Sequence, residues 1–334
     1  MSIKGRKSPG GKKKNPLREY FTVRHHGFPP EGAENWLSFA EQATRDTLEL
    51  LRIAGEHLSL LDLLMVIAKQ RADFARQEGH SAAGQANTFG QLRDGAYNLS
   101  LDEAAERWQR RIAINRQLRD RQSATSLPEL TVTASLTLYD SAHPLFSFIH
   151  ENLALTKDLV EGCRHVYPLS RGMDDTINGL MKRSLPGIPS SFFASAKYQQ
   201  TLLVGGADAA EHALTRIYYT DTAAPPFYLI EHPAPLLVQA LISDHTEKIF
   251  RRTLRQKDTK RYLESLADLN WHCHQLMPFE RGSASILLIM TAAMLGFHSI
   301  RPRPYGTARM DIDAISLPRT LYIKRFLDGT IGSQ

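Results

Sequence analysis

Residues 277–285, Met-Pro-Phe-Glu-Arg-Gly-Ser-Ala-Ser, are the stretch of this chain best suited to gripping an anion. Gly282 permits a tight turn, and a nearly uninterrupted apolar run that reads as a buried helix starts at Ser283 and ends near Phe297. The first N–H groups of a helix have no intrahelical acceptor, and the helix dipole adds positive potential there. Ser283 is a good N-cap type and adds a hydroxyl, while Arg281 adds a permanent charge. Pro278, Phe279, Arg281, Gly282, Ser283 and Ala284 are therefore the candidate ligand-binding set for a phosphate-bearing molecule. Proton-transfer chemistry would also need a base. His274 lies one helical turn before Met277 on the same face and is the candidate catalytic residue. His272 points elsewhere.

Other chemistry finds little footing. On a helix, the spacing in His272-Cys273-His274 does not converge ligands, so no metal site is read. Asp311 and Asp313 follow a Pro-rich link and read as caps for the next helix. No P-loop, dinucleotide-binding glycine motif or nucleophile elbow is present.

Mostly helical segments must position the 277–285 loop. Residues 36–54 carry a helical stripe, Leu58 to Gln77 reads as a second helix, and 79–95 reads as a loop. Ser100, with Glu103 three residues on, opens a third helix. Leu130 to Leu138 alternates strictly and reads as one strand, and Phe146 to Cys163 returns to helix. Pro186, Gly187 and Pro189 mark a loop and a candidate boundary. Arg216–Tyr219 and Phe227–Ile230 read as a hairpin that carries Tyr218, Tyr219, Phe227 and Tyr228. A helix follows from about Leu236 to Gln256, and another runs from an Asp258 cap to Leu276, where Pro278 stops it.

The order hairpin, helix, helix, Pro-Phe-x-x-Gly loop, core helix resembles the Fic or Fic-like (Fido) superfamily over about Ile217 to Phe326. The family loop is His-Pro-Phe-x-x-Gly-Asn-Gly-Arg. Here Pro278, Phe279 and Gly282 match; Met277 replaces the histidine, Ser283-Ala284 replace Asn-Gly, and Ser285 replaces the phosphate-holding arginine. The closest flavour is that of degenerate members in secreted bacterial effectors. The resemblance implies a mainly α helical bundle with a small β-hairpin flap in the C-terminal half, beside a helical N-terminal region. It implies a flap at Tyr218, Tyr219, Phe227 and Tyr228 that clamps a target segment. It also implies transfer of AMP or a related group from a nucleotide to a protein hydroxyl. Three readings stay open: an effector that binds or divergently modifies a host protein, an active transferase using His274 and Arg281, and a non-catalytic helical adaptor.

Charge and composition fit that frame. Of the net +6, residues 1–18 contribute +7 with no acid, which leaves 34 bases against 35 acids in the rest. Residues 1–18 are expected to be a disordered basic tail able to contact anionic lipid or nucleic acid. They are followed by a helical N-terminal region over 19–185 and a Fic-like helical domain over 186–330. The near-neutral body excludes a global nucleic-acid footprint. Two cysteines make no disulfide framework, and the basic start leads into no apolar run. The expectation is secretion without a cleaved signal peptide and action in host cytoplasm, with the bacterial cytoplasm as the alternative.

Overall fold

The structure is a computed structural model that describes residues 16–21, 33–78, 89–93, 130–133, 136–140, 146–155, 164–168, 196–204, 211–220, 227–233, 235–303 and 310–331. Most of these residues are helical, as the sequence leads one to expect. The expected helix from Ser100, the loop at 184–191 and residues 1–15 of the basic tail lie outside the described residues. Among the described residues, no helix is long and apolar enough to cross a membrane.

The core is built around two consecutive helices. Thr259–Leu276 starts at Asp258, whose carboxylate accepts the Arg261 N–H at 2.9 Å, as its sequence position foretells. Ser283–Phe297 is apolar on nearly every face and is buried along most of its length. We label the helices in chain order: α1 Pro16–Phe21, α2 Ala33–Ala54, α3 Leu60–Gln77, α4 Phe146–Leu155, α5 Pro235–Leu241, α6 Glu247–Arg255, α7 Thr259–Leu276, α8 Ser283–Phe297, α9 Met310–Ser316 and α10 Arg319–Ile331. Helices α2 and α3 pack on α8, and α6, α9 and α10 pack on α7. Buried hydroxyls and amides stitch the pair together, for example Tyr262 to the Met294 carbonyl and Asn270 to Thr291.

Several expectations need correction. The tail gives way to structure before residue 18, because α1 begins at Pro16 and sends Tyr20 and Phe21 into the core. The alternating run at 130–138 is two strands, β1 Leu130–Thr133 and β2 Leu136–Asp140, which pair antiparallel with Leu130 opposite Leu138. Alternation of period two carries no mark where a chain reverses, so the turn was illegible. The described part of the helix expected over Phe146–Cys163 ends at Leu155, and a strand, β3 Arg164–Pro168, begins just beyond. The expected hairpin exists, since β5 Glu211–Thr220 pairs antiparallel with β6 Phe227–Glu231, Ile217 opposite Ile230. It is not an isolated flap: with β4 Ala196–Val204 it belongs to one antiparallel sheet of order β1-β2-β6-β5-β4-β3. That order joins strands from both sides of the expected boundary at 185, and one apolar cluster likewise joins α1–α3 to α5–α10. The two expected regions therefore share a sheet and a core.

Between α5 and α6 the helix widens into a single π turn, Ile242–Thr246. Asp313, expected as a cap, lies within the helix that it was expected to precede. It lies buried in the first turn of α9 and accepts from Asn152 of α4 at 2.8 Å and from Arg325 of α10 at 3.0 Å.

Candidate functional site

Helix α7 ends where Met277 takes a left-handed backbone, φ 42, and its N–H closes on the Cys273 carbonyl at 3.0 Å. Pro278 and Phe279 then turn inward and are buried. Gly282, at φ 85, is the N-cap of α8, so Ser283 is the first helical residue and not the cap. The Ser283 hydroxyl instead folds back on the loop: Oγ accepts the Phe279 N–H at 2.9 Å and donates to the Phe279 carbonyl at 3.0 Å. Gly282 is required twice over. Its φ is disfavoured for side-chain-bearing residues, and a Cβ there would sit 3.2 Å from the Phe89 ring.

A segment that the sequence presents as featureless holds this loop in place. Phe89–Arg93 runs along its backbone: Gly90 N–H reaches the Arg281 carbonyl at 3.1 Å, Glu280 N–H the Gln91 carbonyl at 2.8 Å, and Arg93 N–H the Pro278 carbonyl at 3.0 Å. Gly90 can approach because it lacks a side chain, since a Cβ there would lie 2.3 Å from the Ala68 carbonyl oxygen of α3. Arg93 is buried, and its guanidinium caps the end of α7 by donating to the carbonyls of Leu276, Met277 and Pro233. Burial lowers its pKa to about 10, with Glu280 pulling the other way, so it stays charged at neutral pH.

Two more cations meet the start of α8. Buried Arg71 of α3 donates from Nε to Ser285 Oγ at 3.2 Å, which places a guanidinium beside the first turn of α8. Burial lowers its pKa to about 10. Arg281 is partly exposed, and the Phe89 ring lies against both guanidiniums, 4.2 Å from Arg71 and 5.9 Å from Arg281.

His274 is not beside these groups on an open surface. It is 1 % exposed, its Nδ1 hydrogen-bonds the Asn270 carbonyl at 2.9 Å, and burial lowers its pKa to about 4. A buried neutral imidazole engaged within its own helix is placed to pack, not to take a proton from a target hydroxyl. Of the expected flap residues, Tyr228 is buried, with its hydroxyl 2.6 Å from His150 Nδ1 and its ring against Phe146. Tyr219 packs, partly buried, against the same small cluster. Burial raises the Tyr228 pKa, and Tyr219 adds to the shift.

Sequence reasoning missed a second polar cluster. Asp268 on α7 is buried and accepts from Arg319 at 2.6 and 2.8 Å and from Arg252 at 2.8 Å. His272, one turn on, sets Nδ1 2.8 Å from the Asp268 carbonyl and 3.1 Å from its carboxylate. Burial pushes the Asp268 carboxyl up, but the hydrogen bonds and charges of His272 and Arg319 outweigh it and hold the group well below the usual carboxylate range. The Nε2 of His272 faces the Nε2 of His245, on the π turn, at 3.3 Å. The i,i+4 spacing of Asp268 and His272 was the available signal. The contribution of His245, from a distant π turn, leaves none.

No protein-family model matches this chain, and no curated protein matches it.

Proposed function

We propose that this protein is a non-catalytic binding protein on a Fic-like helical core, a bacterial effector that engages a host protein. The observation that carries this reading is the state of the 277–285 loop. Its shape is kept by Gly282 and Ser283, yet Met277 stands where the family has its base, and His274 is turned into the core. The backbone of the loop, beside which the family flap would seat a target strand, is paired to the chain's own Phe89–Arg93. A retired loop of this kind stabilises the bundle and leaves recognition to other surfaces. A phosphate-bearing ligand, if one binds, belongs at the start of α8 beside Arg281 and Arg71.

The test is mass spectrometry of host-cell proteins incubated with the full chain and a panel of nucleotide donors, with His274→Ala and Arg281→Ala in parallel. The reading predicts no donor-derived adduct on any protein with the wild type. An adduct formed by the wild type and lost in both variants would establish a transferase in its place.

A further inference from the structure

We propose that His245 and His272 form a binding site for a divalent transition-metal ion of the zinc class, with Asp268 orienting the inner ligand. The geometry of the two rings carries this. His272 gives its Nδ1 side to Asp268 and turns its Nε2 toward His245 Nε2 at 3.3 Å. Two ring nitrogens this close need something electropositive between them: an N–H hydrogen or a metal ion. The separation lies at the long end of what a hydrogen bond spans, N–H···O bonds closing to about 2.7–3.2 Å. It equals the edge of a tetrahedron whose metal–nitrogen bonds are about 2.0–2.1 Å. The ring centres are only 5.0 Å apart with planes at 44°. A straight nitrogen-to-nitrogen bond of 3.3 Å would separate the centres by that length plus two ring radii, so the ring axes are bent away from a line.

The surroundings fit a metal as well. A ligating histidine ordinarily anchors its other nitrogen on a carboxylate or backbone carbonyl, and His272 has both on Asp268. Arg319 and Arg252 fix that carboxylate in turn. The outer ligand sits on a π turn, a distortion frequent at functional sites. His245 is partly exposed, so an ion can enter from its side. Imidazole pairs suit zinc, cobalt, nickel and copper rather than magnesium or calcium. Among the described residues no group of three or more His, Cys, Asp and Glu is placed to hold a metal, so water completes the coordination and the site keeps open positions.

Isothermal titration of the full chain with Zn2+ and with Co2+ tests this, independently of any partner or nucleotide. The wild type should bind one more equivalent than His245→Ala, a change at a partly exposed position that leaves the core intact. His272→Gln should lose the same equivalent, and cobalt should broaden the ring resonances of both histidines. Equal stoichiometry and affinity in the wild type and His245→Ala would overturn the proposal and assign the pair to a shared proton.

Discussion

At the scale of single residues, Gly282 and His274 decide what the 277–285 loop can be. The pattern that made Gly282 legible was local: a turn residue before a long apolar run, whose expected positive φ the structure bears out. Replacing Gly282 with Val forces a β-branched residue to φ 85 and drives its Cβ against Phe89. We expect a loss of about 2–3 kcal/mol, read as a lower denaturation midpoint. An unchanged midpoint would mean that the turn relaxes without strain. His274 was read as a candidate base because helical spacing puts it under the loop, but spacing alone does not say whether a face is buried. Ser283 shows the same limit. Its capping type is plain in the sequence, whereas the one-residue shift that makes Gly282 the cap depends on Phe279 being buried beside it.

At the scale of elements, α7 and α8 were legible nearly to the residue, because Asp258 at one end and Gly282 at the other are local signals with local causes. The segment Phe89–Arg93 was not. Its partners lie almost two hundred residues away, and pairing of that kind leaves no period in either strand. The π turn was hidden because one extra residue in a helical turn barely disturbs an apolar stripe. Arg93 is the element-scale test. Its guanidinium satisfies two carbonyls at the end of α7 and that of Pro233 ahead of α5, and Arg93→Met would leave all three without this donor. Each such orphaned group costs about 1–3 kcal/mol, so thermal or chemical denaturation should show a loss on the order of 3 kcal/mol. A variant as stable as the wild type would show that water reaches these carbonyls.

At the scale of the whole molecule, two expectations separate the tail from the body. Residues 1–15 are basic and poor in apolar side chains, so their deletion should leave the melting transition unchanged. Extending the deletion through Phe21 removes Tyr20 and Phe21 from the core, where the Phe21 ring meets Trp36 edge-on at 6.3 Å. That longer deletion should cost on the order of 5 kcal/mol. A melting transition equally insensitive to both deletions would contradict the placement of α1. Acid stability is the second expectation. Burial, helped by the charge of Arg93, lowers the His232 pKa from 6.5 to about 3. Above pH 6.5 the ring is neutral in both the folded and the unfolded chain and adds no pH dependence. Below 6.5 only the unfolded chain takes up the proton, so this group erodes stability at up to about 1.4 kcal/mol per pH unit until pH reaches about 3. His232→Leu should flatten the stability profile in that window relative to the wild type, and parallel profiles would show that His232 is not buried neutral.

Amide hydrogen exchange reads the closed loop directly. The N–H groups of Gly90, Glu280 and Arg93 are the three that join Phe89–Arg93 to the loop. All three should exchange slowly and together, with protection close to that of the α8 core, and adding nucleotide should leave them unchanged. Fast exchange at these three amides, or their release when a nucleotide is added, would instead show a loop that opens for a ligand.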